Sequence, residues 1–277
     1  MLGSGDGVIG VVHLVWAPLG VGPLREFVRS YRAHDAGAPH ELIVVLNGLD
    51  LDRDAQGARA ALLAELQGTE HRLIELERAV LDLAAYAQAA CSIEHRRVCF
   101  LNSYSVLLAD GWLGLLADAL DEPGVGIVGA TANWESQAEW TRGGVRNWPI
   151  QIMGLRQARR DYPRFPNPHI RTTAFMLDRL VLLEMGFERA ADKRAAYLLE
   201  SGWHSVTRQV QERHLRAVVV GRDGRAYDVA EWPESATFRC GEQRNLLVAD
   251  NQTRAYEGSS PRARRHLSRD SWGNRHR

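Results

Sequence analysis

Residues 8–16, VIGVVHLVW, form a short apolar run rich in β-branched side chains, followed directly by the Gly- and Pro-containing loop APLGVG. A run of this kind reads as a strand buried on both faces. The pattern then repeats along the first half of the chain. Pro23 opens a helix with Leu24, Phe27, Val28 and Tyr31 on one face, and a second strand at 41–46 ends at Asn47-Gly48. Strands at 72–76, 97–101 and 125–130 are separated by helical segments at 54–66, 81–92 and 111–120. Strands spaced by helices of this length require right-handed crossovers and a mainly parallel sheet. The predicted fold class is therefore α/β, Rossmann-like, with helices flanking the sheet. Ligands of such sheets bind at the carboxyl ends of the strands. Here those ends are Trp16-Ala17-Pro18, Asn47-Gly48, residues 75–77 and Asn102-Ser103-Tyr104.

The second half is less regular. Residues 133–168 hold Trp134, Trp140 and Trp148, several arginines, and Pro163, Pro166 and Pro168 among their prolines, without a clear period. A long irregular segment rich in aromatics reads as a loop over a site. Order returns as a strand at 171–176, a helix capped at Asp178 and closed at Gly186, a helical stretch at 194–214 interrupted near Gly202, and a strand at 217–220. Residues 221–277 read as a loop-rich extension with a basic, solvated tail. The expected organisation is one domain over 1–220, split into a ligand-binding half (1–132) and a catalytic half (133–220), plus that extension.

Lys and Arg number 34, as do Asp and Glu, so no net field recruits nucleic acid or a membrane surface. Three cysteines without metal spacing fit a reducing, cytoplasmic setting. The longest apolar stretch near the N-terminus is broken by His13 and Pro18 and lacks a basic flank, which suits neither a membrane span nor a signal peptide. Several motifs are absent. The glycines of GSGDG precede the first strand, whereas a dinucleotide fingerprint follows it. P-loop, GxSxG and HExxH patterns are also missing. A nucleotidyltransferase would carry a Gly-rich loop with Arg and Lys after its first strand, and WAPLGVGPLRE matches that poorly.

Four stretches in order resemble the GT-A fold glycosyltransferases, in particular the family 2-type group that uses nucleotide-sugar donors. ELIVVLNG is similar to the family's second strand, whose end contacts the donor base, with Asn47 at the matching position. VCFLNSYS, with the following LLADGWLGLLADALDEPGVGIVGA, is similar to its strand, Asp-x-Asp, Trp-bearing helix and Gly-ended strand. Asn102 and Tyr104 stand where the two metal-binding aspartates would be, so the motif is replaced. PHIRTTAFMLDRLVLLEMGF is similar to the segment lining the acceptor site. YLLESGWHSVTRQVQERHLRAVVVG is similar to the stretch bearing the general base of inverting transfer, at the position of Glu200.

The resemblance implies a nucleotide-diphosphate sugar donor, a glycan or lipid-linked acceptor and a role in polysaccharide synthesis, with contact to the membrane at most peripheral. A non-catalytic relative that binds nucleotide sugar or glycan is the alternative, supported by the replaced motif. Inverting transfer needs a carboxylate to take the acceptor proton and groups to offset charge on the leaving diphosphate. Glu200 is the base candidate, expected at an apolar helix start. Trp16, Ala17, Pro18 and Asn47 are expected around the donor base, with Asn102, Ser103 and Tyr104 at the diphosphate or sugar. Arg171, with Arg142 or Arg146, could offset the charge, and Asp82 and Tyr86 either face the donor or close the core. If Mn2+ or Mg2+ is used, Asn102 and His169 are its candidate ligands, although neutral oxygens suit a hard cation poorly.

Overall fold

The computed structural model describes residues 7–139 and 156–275. Its centre is an eight-stranded sheet in the order β11-β10-β6-β9-β4-β1-β2-β3. The strands are β1 (Ile9–Trp16), β2 (His40–Asn47), β3 (Arg72–Glu75), β4 (Arg97–Leu101), β6 (Val125–Gly129), β9 (Ala174–Asp178), β10 (Arg216–Val220) and β11 (Ala226–Tyr227). Helices α1 (Val21–Ala33), α2 (Ala55–Glu65), α3 (Asp82–Cys91) and α4 (Trp112–Asp121) connect the first strands. Pairs β1–β2, β2–β3, β1–β4 and β6–β10 are parallel, as the alternation of strands and helices requires.

One central strand runs the other way. The chain returns through β7 (Ala132–Asn133) and β8 (His169–Ile170), which pair with each other off the main sheet, and turns at 171–173. It then enters the sheet as β9, antiparallel to both β4 and β6. The strand expected at 171–176 therefore begins only at Ala174, and residues 171–173 are the turn between β8 and β9. The turn is pinned because Arg171 N–H donates to Thr131 O at 3.1 Å and Thr172 is held by Glu200.

Alternation along the buried strands feeds two apolar layers. Val12, Leu14, Phe100 and Phe175 join α3, while Val11, Val15, Leu101 and Met176 join α1, α2 and α4. Helices α5 (Arg179–Glu184), α6 (Lys193–Ser201) and α7 (Val206–Glu212) follow β9.

Residues beyond 220 contain more regular structure than their composition announces. Strand β12 (Val248–Ala249) pairs with β5 (Val106–Leu107), and helices α8 (Asn251–Glu257) and α9 (Pro261–Trp272) follow. The segment expected as a solvated tail is held by Trp272, which is 1 % exposed and donates its indole N–H to Phe238 O at 2.8 Å. Trp134, from the irregular segment, meets it edge-on at 5.7 Å between ring centroids. Trp140, Trp148, Arg142 and Arg146 lie outside the described residues. Among the described residues no helix is long and apolar enough to cross a membrane.

Candidate functional site

The parallel register brings Trp16 directly beside Asn47, at the carboxyl ends of β1 and β2. Trp16 is half-buried, Ala17 buried and Pro18 exposed. Gly48 follows in the left-handed region, at φ +84°, and a Cβ there would fall 2.8 Å from the Trp16 ring. Only glycine allows both that backbone conformation and that approach. From the end of β4, Ser103 reaches across so that its Oγ accepts the Trp16 N–H at 3.0 Å.

The polar residues at these strand ends are committed within the protein. Asn47 is 1 % exposed. Its Nδ2 donates to Val80 O at 2.8 Å and its Oδ1 accepts the Val80 N–H at 3.1 Å. Both ends of the amide therefore hold the loop that leads into α3, where a base edge was expected. Asn102 closes an Asx turn, its Oδ1 accepting from Tyr104 N–H and Ser105 Oγ–H, each at 3.1 Å. Tyr104 is half-buried, and its carbonyl lies 3.5 Å from Arg254 Nη2.

This donor set does not fit a hard divalent cation. It offers one neutral amide oxygen already accepting two hydrogen bonds, and Ser103 Oγ is engaged elsewhere. Among the described residues no group of three or more His, Cys, Asp or Glu side chains converges on a common point. His169, the second candidate ligand, lines a cavity whose wall does not include Asn102.

That cavity and a smaller neighbour define the more developed site. The larger, about 280 Å3, includes Glu135, His169, Arg171, Tyr197, Glu200 and Arg239 in its wall. The smaller, about 150 Å3, is lined by Asp82, Thr172, Lys193, Tyr197 and Glu200 among others. Glu200 and Tyr197 line both. They are three residues apart on α6 and so share a helix face. Glu200 is half-buried and sits near the end of α6, not at a helix start. Its Oε1 accepts from Thr172 N–H at 3.3 Å and Thr172 Oγ1–H at 3.2 Å.

Asp82 opens α3 and faces the smaller cavity with an exposed surface. Desolvation by the surrounding protein, and then the charge of Glu200, push its carboxyl above the usual aspartate range. Tyr86, one turn further on, is fully buried and packs against Phe100 and Phe175. Of that pair, Asp82 faces the site and Tyr86 closes the core.

His169 is 6 % exposed. Its Nδ1 lies 2.8 Å from Asn167 O, an acceptor, so Nδ1 carries the proton and Nε2 the lone pair. Burial lowers its pKa to about 4, which keeps the ring neutral at pH 7.

Arg171 is 3 % exposed, and its charge is balanced internally. Its Nη2 meets Asp250 Oδ2 at 2.7 Å, its Nη1 donates to Thr131 Oγ1 at 3.2 Å, and the guanidinium lies 4.2 Å over the Phe238 ring. Burial alone would raise the Asp250 pKa, but the Arg171 charge and N–H donors from Thr253 and Gln252 leave it below the usual range. Arg171 therefore anchors the site rather than offering an open positive charge. Arg239, which the sequence reading passed over, is the other guanidinium in the larger cavity. It contacts Gln252 Oε1 at 3.1 Å and Glu135 Oε2 at 3.4 Å, and burial lowers its pKa below the usual arginine value.

No protein-family model matches the sequence, and no curated protein matches it. Among solved structures, a mannosyltransferase from Pyrobaculum calidifontis, in complex with GDP-Man and Mn2+, overlaps 96 % of this chain and 69 % of its own. The TM-score is 0.47 and the identity 14 %. The 4-diphosphocytidyl-2C-methyl-D-erythritol synthase of Anaerococcus prevotii overlaps 77 % of this chain and 88 % of its own, at TM-score 0.44 and 12 % identity.

Proposed function

We propose that the protein is a nucleotide-sugar-dependent glycosyltransferase of GT-A type, with Glu200 as the general base of an inverting transfer. The observation that carries this reading is the position of Glu200, a single carboxylate that lines both adjoining cavities. A base so placed can take a proton from a hydroxyl in one space while that oxygen attacks a carbon held in the other. Both hydrogen bonds from Thr172 fall on Oε1, so Oε2 is the oxygen assigned to receive the proton. The acceptor oxygen bonds to the anomeric carbon as the bond to the donor diphosphate breaks, and the diphosphate leaves as an anion.

The donor nucleotide is placed over Trp16, Ala17 and Pro18, with the smaller cavity on its sugar side. Lys193, in the wall of that cavity, is the cation assigned to the leaving diphosphate. A glycan or lipid-linked acceptor, a role in polysaccharide synthesis, and cytoplasmic residence at most peripheral to a membrane belong to the same reading. One observation favours a binding-only relative instead: the end of β4 offers no carboxylate to a metal on a donor diphosphate, and the Asn102 amide oxygen already accepts two hydrogen bonds.

A thermal-shift screen with UDP-, GDP-, dTDP- and CDP-sugars, with and without Mn2+, tests the reading. Stabilisation by at least one donor, accompanied by transfer or slow donor hydrolysis, is the expected result. Binding without turnover would move the protein to the binding-only class, and no stabilisation by any donor would remove the donor site.

A further inference from the structure

We infer that the arginine-bearing side of α9 docks on an anionic lipid surface, with the larger cavity beside it. The docking surface stands without the transferase reading. Only its purpose, access to a lipid-linked acceptor, rests on that reading.

The balance of charge over the whole chain conceals a local excess. Residues 260–277 hold six arginines and one carboxylate, Asp270, whereas residues 1–259 hold 28 lysines and arginines against 33 aspartates and glutamates. On α9 the excess falls on one side. Arg262, Arg265 and Arg269 are exposed and recur at spacings of three and four, a stripe about 10 Å long. His266 lies within it and accepts at Nδ1 from Arg269 Nη2 at 2.9 Å. The open trough on this side of the helix is lined by these four residues and, among the described residues, by no carboxylate. Asp270, 3.4 Å from His266, lines the larger cavity instead, together with Leu267.

Two observations separate this stripe from an ordinary solvated face. Exposed arginines elsewhere meet carboxylates, as Arg25 does Glu65 at 2.6 Å and Arg194 does Asp161 at 2.7 Å. Arg262 and Arg265 have no such partner among the described residues. The helix that carries them is also fixed at both ends. Ser260 Oγ caps it by accepting the Ala263 N–H at 3.4 Å, and Ser271 O accepts the Trp134 N–H at 3.0 Å beside the buried Trp272. Unpaired charge on a rigid support meets a partner with little loss of chain entropy.

The layout of charge selects the partner. A flat anionic surface meets the stripe alone, whereas a nucleic acid wrapping further would meet the acidic remainder of the chain. The trough side carries no apolar side chain larger than that of Ala263, so attachment is electrostatic and reversible by salt. Because Leu267 and Asp270 of the same helix line the larger cavity, docking brings that cavity to the surface in which a lipid-linked acceptor is anchored.

Vesicle sedimentation of the intact protein is the test, with vesicles of phosphatidylcholine alone and of phosphatidylcholine with about 30 % phosphatidylglycerol. The protein should bind only the anionic vesicles and be released between about 0.1 M and about 0.5 M salt. Each arginine at such a surface is worth about fivefold, so Arg262→Gln/Arg265→Gln/Arg269→Gln should bind about 100-fold more weakly. Removing the same charge from other exposed positions, in Arg53→Gln/Arg189→Gln/Arg244→Gln, should leave binding within a few-fold of wild type. Circular dichroism checks folding, and if the α9 triple variant does not fold, Arg262→Gln and Arg265→Gln singly decide, each about fivefold weaker. Absence of binding, equal binding to both vesicle types, wild-type binding by the folded α9 variants, or an equal loss in the control variant would each overturn the inference. Tighter binding to a DNA or RNA duplex than to the anionic vesicles would overturn it too. No donor is present, so a failure of Glu200 or of the donor site leaves this result unchanged.

Discussion

Arg171 and Asp250 form a buried ion pair, Nη2 to Oδ2 at 2.7 Å, with their side chains 3 % and 4 % exposed. The pair joins the turn before β9 to the start of α8, where the Asp250 carboxylate also accepts N–H bonds from Gln252 and Thr253. Removing one member strands the other charge in the interior, which typically costs about 3–5 kcal/mol. The lost helix cap adds about 1 kcal/mol. Asp250→Ala is therefore expected to lower unfolding free energy by several kcal/mol in a urea titration. A change within the range of an exposed surface substitution would show that the pair does not hold this junction.

Asn47 clamps Val80 through both ends of its amide. In Asn47→Asp the acceptor for Val80 N–H survives, but a carboxylate oxygen replaces the donor that faced Val80 O. One buried carbonyl loses its partner, at a cost of about 1–3 kcal/mol. The expected outcome is reduced stability and faster hydrogen exchange at the amides of residues 80–83. Exchange unchanged in that loop would mean that Asn47 does not position Asp82.

The strands, their helices and the strand ends were legible because period and length separate a short apolar run from an amphipathic helix. The reversal of β9 was not, because a two-residue strand such as His169–Ile170 carries no period. Helix α9 had its start signal in Ser260-Pro261. Its arginine-rich surface hid Trp272, the buried aromatic that docks it. Glu200 was found through a resemblance. Glu135 and Arg239, which line the larger cavity with it, come from two separate parts of the chain, and only the folded structure unites them. Asn47 and Asn102 were legible as strand-end amides, but the direction in which each amide points depends on tertiary partners.

Two buried histidines predict how stability changes with pH. His13, in β1, stacks on Phe27 with ring centroids 3.6 Å apart, and neither ring nitrogen has a hydrogen-bond partner among the described residues. Burial lowers its pKa to about 3, and that of His169 to about 4. The unfolded chain protonates both near pH ~6.5. Below that pH the unfolded state binds protons that the folded state does not, so stability is fully present above it and falls as pH is lowered. The slope is about 1.4 kcal/mol per histidine per pH unit until the folded values are reached. His13→Leu should roughly halve the loss between pH 6 and pH 5 attributable to this pair. Urea titrations at the two pH values check it, and an unchanged slope would mean that His13 titrates normally in the folded protein.

The most direct measurement is turnover of Glu200→Gln with a donor shown to bind the wild-type protein. Glutamine keeps the size and the acceptor for Thr172 but cannot take a proton, so transfer should fall by about 10²- to 10⁴-fold. The thermal shift produced by the donor should remain. Turnover within a few-fold of wild type would contradict Glu200 as the base and, with it, the account of the two cavities as the donor and acceptor sides of one reaction.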